Sequence, residues 1–283
     1  MKCPVFALAA MIVTTGVLWA DEQGSFERTL TVTGPVDLDV VTDSGGITVM
    51  PGPAGSVRVH AVLKVQHGWL DFSDAESHIR ELERDPPVEQ TGNRVRIGYV
   101  HGRDLLRGVS MRLEIYTPVE TQLRVRADSG GIHVRGIRGP ADCHTDSGGI
   151  EVRDVGREVR ATADSGGIHL GQIGGAVTAR VDSGGIDAID VAGGIDAEAD
   201  SGSIRLAQTK PAPIHAKADS GGITVRLAPG AGYDVSASSE SGSISVPEMT
   251  VRSELSRHHV DGKVRGGGPP VNVRVDSGGI RIQ

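Results

Sequence analysis

The sequence predicts an all-β protein, a β-solenoid of stacked coils built from short strands, with one short helix in an N-terminal excursion. Two observations predict it. Asp-Ser-Gly-Gly-Ile begins at Asp43, Asp128, Asp146, Asp164, Asp182, Asp219 and Asp276, with the variants Asp-Ser-Gly-Ser-Ile at Asp200 and Glu-Ser-Gly-Ser-Ile at Glu240. From Asp128 to Asp200 the period is 18 residues, and the later steps are 19, 21 and 36. Fixed spacing on this scale is the mark of a repeat architecture. The second observation is alternation of apolar and polar residues inside each repeat, the pattern of a strand with one buried face.

The first twenty residues read as an address. Met1-Lys2 carries one positive charge, Val5–Trp19 is uncharged and apolar, and Ala20 precedes Asp21-Glu22. This is the pattern of a secretory signal peptide over 1–20, cut after Ala20. The apolar run is short for a bilayer span, which needs ~20 residues. Cys3 leaves with the signal, so Cys143 is the only cysteine of the mature chain and no intrachain disulfide forms. The expectation is an exported protein, periplasmic or at the cell surface, with no membrane insertion of the mature chain.

Residues 21–118 form an irregular N-terminal β part. Arg28–Thr33, Val36–Thr42, Ile47–Met50 and Ser56–Val65 read as strands. Ser73 with Glu76 reads as a capping box, and Ala75, Ile79 and Leu82 follow at helical spacing, predicting a helix over about 74–84 that Pro86-Pro87 stops. Trp69 and Phe72 flank it as a cap over the first coils. Arg94–Tyr99, Ser110–Tyr116 and Gln122–Ala127 return to strand pattern.

Residues 119–283 carry the regular repeats. Aligning the coils that start at Asp128, Asp146, Asp164 and Asp182 gives the column Ile132, Ile150, Ile168, Ile186. The next columns are Val134, Val152, Leu170, Ala188 and Ile137, Val155, Ile173, Val191. A return strand carries Ala141, Val159, Val177, Ile195, then Cys143, Ala161, Ala179, Ala197. Such a coil buries its apolar face only by stacking on a neighbour. In the corner, Asp is expected to bond an N–H two residues on, and Gly supplies φ > 0. A late excursion covers 249–270 and ends in Arg265-Gly-Gly-Gly-Pro-Pro270. Val271–Gln283 adds a last strand, corner and strand. Gln283 would leave an open sheet edge, which makes end-to-end self-association an expected partner mode.

The Asp/Glu-Ser-Gly-Gly/Ser-Ile corners, the Arg112–Pro118 segment before the first regular coil and the Gly-rich stretch before the last corner resemble the bacterial putative-adhesin family, also called toast-rack domains. The resemblance runs from about Phe26 to Gln283. It implies a stack of short strands and an envelope location. The family's biochemical role is unassigned, so it supplies no catalytic residues.

Composition narrows function further. The 283 residues include 40 Gly and only 3% aromatics, and the net charge is −7. An acidic chain poor in aromatics lacks both the basic face and the stacking platform of a nucleic-acid binder. Asp-Ser-Gly-Gly also occurs around the nucleophile of trypsin-like proteases, but a catalytic serine is needed once and this motif occurs seven times. It reads as a structural turn.

The sequence assigns no catalytic, cofactor or metal residues and leaves three candidate constellations. Asp128, Asp146, Asp164, Asp182 and Asp200 stack one per coil, with like charges ~5 Å apart repelling by roughly 1 kcal/mol per pair even in water. Corner hydrogen bonds offset this, or Ca²⁺ between coils does. One residue past the corner isoleucine, the outward column reads His133, Glu151, His169, Asp187, Arg205. His133, Glu151 and His169 are the zinc candidates, against an exposed ladder of alternating charge. His258-His259 with Asp261 is the third, though adjacent side chains diverge on a strand. Cys143, in a small-residue column, reads as an inert core thiol.

The leading reading is a non-enzymatic cell-envelope protein, not an enzyme, whose rigid surface adheres to or binds an unknown envelope or surface component. An extracytoplasmic sensor or docking module for a membrane partner is the alternative. A polysaccharide lyase or hydrolase ranks below both, because the charges spread over columns instead of converging.

Overall fold

The computed structural model describes residues 24–66, 72–100, 105–106, 108–247, 249–251, 256 and 258–283. The signal segment 1–20, with Cys3, and Trp69 lie outside the described residues, as do the side chains of Phe72 and Ser73. Among the described residues the fold is mostly β, with one helix and two long, largely parallel sheets of 12 and 13 strands.

The sequence period is visible as strand register. Ile132–Ile137, Ile150–Val155, Ile168–Ile173 and Ile186–Val191 are parallel neighbours in the first sheet, pairing Ile132 with Ile150, Ile150 with Ile168 and Ile168 with Ile186. In the second sheet Ala141–Ser147, Val159–Ser165, Val177–Ser183 and Ile195–Ser201 pair in the same way. Each coil therefore places one strand in each sheet, and the corner joins them. The isoleucine, valine, alanine and cysteine columns are buried throughout. Burying them requires the neighbouring coil, which is why the repeats stack.

The corner glycine has a stricter task than turning the chain. The first Gly of the motif has φ from 118° to 149° at Gly45, Gly130, Gly148, Gly166, Gly184, Gly202, Gly221 and Gly278. A Cβ on Gly184 would lie 2.2 Å from the carbonyl oxygen of Gly166, and one on Gly166 would lie 2.1 Å from that of Gly148. The N–H of Gly148 donates to Ser165 O at 2.9 Å and that of Gly166 to Ser183 O at 2.9 Å. This corrects the expected corner bond. The N–H two residues past each Asp reaches a serine carbonyl of the next coil, not the Asp carboxylate. The second Gly is less confined: a Cβ on Gly222 would meet Gly279 O at 3.5 Å, an ordinary contact, while one on Gly185 would meet Ser203 O at 3.2 Å, which asks that carbonyl to give by a few tenths of an ångström. Serine stands at that position in the Asp200 and Glu240 variants.

The N-terminal part extends the same sheets. Val36–Ser44 pairs in parallel with Thr121–Ser129, and Ile47–Pro51 lies between Val109–Thr117 and Ile132–Ile137. The Asp43 corner thus stacks on the Asp128 corner, as the motif predicts. Beyond it the first sheet turns antiparallel through Val109–Thr117, Ser56–Val65 and Gly24–Thr31. The helix, Phe72–Arg84, starts earlier than the expected 74, so Ser73 sits within its first turn. Ala75, Ile79 and Leu82 form its buried face, and Glu83 Oε1 accepts the Ser25 N–H at 2.9 Å. Val88–Thr91, a strand absent from the sequence reading, pairs antiparallel with Arg94–Ile97.

The C-terminal order departs from expectation. Ile280–Ile282 lies between Ile223–Arg226 and Ile244–Ser245, and Pro270–Ser277 lies between Ile214–Ser220 and Tyr233–Ser241. The last coil in sequence is therefore internal, and the open edge expected at Gln283 is absent. Gln283 N–H donates to Val225 O and its carbonyl accepts the Leu227 N–H. The excursion holds a second feature the sequence reading lacked, an antiparallel pair of Met249–Val251 and His259–Val264. At the same end, Tyr233 donates its hydroxyl hydrogen to Gln208 Oε1 at 3.1 Å and accepts the Ala228 N–H at 3.2 Å. Gln208, 4% exposed, also donates to Gly193 O. These bonds satisfy buried polar groups where the apolar column ends.

Two stability outcomes follow from this packing. Gly184→Ala should cost ~1–3 kcal/mol in denaturant unfolding, because backbone must move to admit the methyl, while Gly222→Ser, where a Cβ makes only an ordinary contact, should change little. Equal effects at the two positions would refute the stacking account. Ile280→Ala should cost ~2–5 kcal/mol, like an internal Ile168→Ala, because both leave a core cavity. A much smaller loss would mean the C-terminal strand frays.

Candidate functional site

The outward faces of both sheets are charged, and parallel register sets each pair. On the first sheet the ladder runs His133, Glu151, His169, Asp187, Arg205. His133 Nδ1 is 3.3 Å from Glu151 Oε2, whose other oxygen lies 2.7 Å from Arg153 Nε. His169 Nδ1 is 3.3 Å from Asp187 Oδ2. Arg205 donates from Nε and NH2 to the two Asp187 oxygens at 2.5 and 2.9 Å. That two-pronged bond, with the nearby His169, holds the Asp187 carboxyl below the usual carboxylate range. The ladder is thus divided into pairs, and His133, Glu151 and His169 do not converge on one point.

A concavity of this face lies along the same ladder. It encloses about 750 Å³ over Gly171, between Glu151, Arg153, His169, Asp187, Ile189 and Arg205. Gly171 pairs with Arg153 on one side and Ile189 on the other, so its missing side chain leaves a notch in the outward column. Ile189 is 50% exposed, the one large apolar side chain so exposed among the described residues. Gln172 and Asp190 line the notch with φ of 57° and 58°, a left-handed step that recurs at Gly136 and Asp154. The sequence alignment of inward columns missed this notch. The one-coil substitution of Gly171 for a side chain was its only signal.

The Asp column lies along the exposed corner edge. Asp128, Asp146, Asp164, Asp182 and Asp200 are all exposed. Partial burial, then the charges of Asp43 and Asp146, push the Asp128 carboxyl up. Asp146 is 3.1 Å from His144 Nε2. In the late excursion the adjacent histidines diverge: His258 Nδ1 is 3.1 Å from Ser239 O, while His259 Nε2 is 2.7 Å from Asp261 Oδ2. Hydrogen bonds from Ser236 and His259 hold Asp261 low. Cys143 is fully buried, and burial pushes its thiol up to about 12, so it is protonated and inert at neutral pH.

Among the described residues, Asp196, Glu198 and His215 are the one set of three or more His, Cys, Asp or Glu whose ligand atoms all lie within 4.8 Å of one another. None of the aspartates of the corner column, nor His133, Glu151 or His169, belongs to it. Asp196 and His215 are register partners on Ile195–Ser201 and Ile214–Ser220. His215 follows a one-residue insertion in the period, so alignment at a fixed 18-residue spacing does not set it beside Asp196.

This geometry belongs to a known architectural class, a toast-rack of stacked short strands. The Toastrack DUF4097 family model matches residues 89–283, and the chain belongs to that family. No curated protein matches the chain. A crystal structure described as a putative adhesin from Bacteroides fragilis is similar at a TM-score of 0.51 and 12% identity, covering 92% of this chain and 97% of that one. A putative cell adhesion protein from Clostridium sporogenes (13% identity, 91% and 98% covered) and a putative adhesin from Parabacteroides distasonis (9%, 93% and 98%) give TM-scores of 0.30 and 0.34. At these identities the first likeness is one of fold, and the other two carry no argument. Among the described residues no helix is long and apolar enough to cross a membrane.

The lowered Asp187 gives a pH signature. A depressed carboxylate stabilises the fold above its unfolded value near ~3.9 and loses that contribution as pH falls through the folded value. Asp187→Asn should lower stability at pH 7 by less than ~1 kcal/mol, as for exposed pairs. The difference from wild type should shrink in acid-unfolding curves as pH falls below the unfolded value and through the lowered folded one. A gap that persists at low pH would assign the loss to packing.

Proposed function

We propose that the protein is an exported, non-enzymatic component of the cell envelope whose rigid stack of coils presents an outward face for adhesion or for binding another envelope component. This reading takes the two sheets as the walls of a β-solenoid, one 18-residue repeat per coil with Asp-Ser-Gly-Gly-Ile as its corner. The notch over Gly171, with Ile189 exposed among paired charges, is the observation that carries it. A large apolar side chain left exposed beside a concavity supports contact with a partner. The ionisable groups around it are occupied with one another, which supports binding over acid-base catalysis. The signal-like pattern of residues 1–20 supports export.

The test is protease shaving of intact cells followed by blotting. Loss of the chain from intact cells is expected for a surface adhesin. Survival until the envelope is opened would move the partner inside and favour a docking role. Gly171→Arg should fill the notch and weaken retention of envelope material on the immobilised chain. Turnover of an acidic polysaccharide, read by mass analysis, would overturn the non-enzymatic assignment.

A further inference from the structure

We infer that Asp196, Glu198 and His215 form a binding site for a divalent transition metal, with Zn²⁺ as its natural occupant by ligand chemistry. The site lies on the outward face of the second sheet, opposite in the stack to the Gly171 notch, and stands independently of the binding role proposed there. Asp196 and His215 sit directly side by side on neighbouring strands, and Glu198 is two residues along from Asp196 on the same outward side. A strand presents residues i and i+2 to one face, so the register itself brings the three together.

The donor set fits zinc. One imidazole nitrogen and two carboxylates are borderline ligands of the kind zinc takes, and three protein ligands leave a fourth position for water or a partner's side chain. Zinc bonds of ~2.0–2.2 Å put tetrahedral ligand atoms roughly 3.3–3.6 Å apart. The three ligand atoms here lie within 4.8 Å of one another, so closure takes about an ångström of movement at side-chain tips. The strands beneath them need not move.

A second observation points the same way. The Asp196 side chain is 41% exposed, yet its Oδ1 is shielded from solvent and has no hydrogen-bond partner among the described residues. A buried carboxylate oxygen left without a partner is costly, and a cation is one group that satisfies it. Arg180 occupies the other side, donating to Glu198 Oε2 at 2.9 Å and lying 3.5 Å from Asp196 Oδ2. It anchors both carboxylates and neutralises one of their two charges. Lys217, next to Glu198 across the strands, is 3.0 Å from Asp219 Oδ1. With a neutral imidazole, the net charge around the site remains negative, as a dication requires.

The experiment is titration of the tag-free full chain with ZnCl₂ in an isothermal calorimeter, with circular dichroism to check folding. One equivalent of Zn²⁺ per chain is expected. His215→Ala and Asp196→Asn should each weaken binding by more than ~10-fold, since even outer-shell losses cost that much. Both positions face outward, so the fold should survive. His169→Ala, on the opposite sheet, should leave binding unchanged. Absence of saturable binding would overturn the inference. So would binding that persists in both variants, or binding lost only in His169→Ala.

Discussion

The first glycine of each corner is the constraint on which the rest of the structure depends. It meets two coils at once. Its N–H donates to a serine carbonyl on one side, and its Cα presses on a glycine carbonyl on the other. A side chain there would collide with backbone, which cannot rotate away as a side-chain tip can. The contact runs unbroken from Gly45 through Gly130, Gly148, Gly166, Gly184, Gly202 and Gly221 to Gly278. It ties coil to coil at every repeat and leaves no freedom for the register to slip. A one-residue slip would send every apolar column outward, so the glycine contact and the hydrophobic pattern enforce the same alignment.

Register, once locked, dictates surface chemistry. Each outward residue sits beside the residue one coil away, so charges 18 positions apart in sequence become neighbours. That is how His133 meets Glu151 and how Asp187 meets both His169 and Arg205. It is also why the corner aspartates stand next to one another, with Asp128 pushed up by partial burial first and then by the charges of Asp43 and Asp146. The motif keeps that column despite the repulsion, and its exposure to water keeps the cost modest. A period that writes structure on the inward positions leaves the outward ones free to vary. The Gly171 notch and the exposed Ile189 arise from that freedom.

Much of this was legible because the repeat is regular between Asp128 and Asp200. The columns through Ile150 and Ala161, the helix face of Ala75, Ile79 and Leu82, and the stacking of the Asp43 corner could all be read from spacing. The C-terminal order could not. Spacing ranks coils by sequence, whereas a strand pairs with any free edge of the right register, and Pro270–Ile282 takes the position between two earlier segments. The 36-residue step before Asp276 marked the excursion without revealing where it returned. The Asp196, Glu198 and His215 group escaped for a related reason. It straddles the 19-residue step and uses a diagonal neighbour, so neither a fixed period nor a single column contains it.

The inserted C-terminal strands also bear on how the fold assembles. Repeat stacks can grow by adding each coil to the last, because every contact is with a neighbour. The described ladder partner of Ile244–Ser245 is Ile280–Ile282, which is made later in synthesis. Tyr233–Ser241 likewise pairs with Pro270–Ser277 and His259–Val264, both C-terminal to it. The coil at that end therefore waits for Pro270–Ile282 to be made, and its closure has the larger loop entropy of a non-local contact. When it closes, the described edge strands at that end are short: two residues at Ile244–Ser245 and three at Met249–Val251. Short edge strands are poor templates for another chain. With Pro270–Ile282 inside the stack, the described strands at that end are thus short ones, a capping solution in which the edge itself limits pairing.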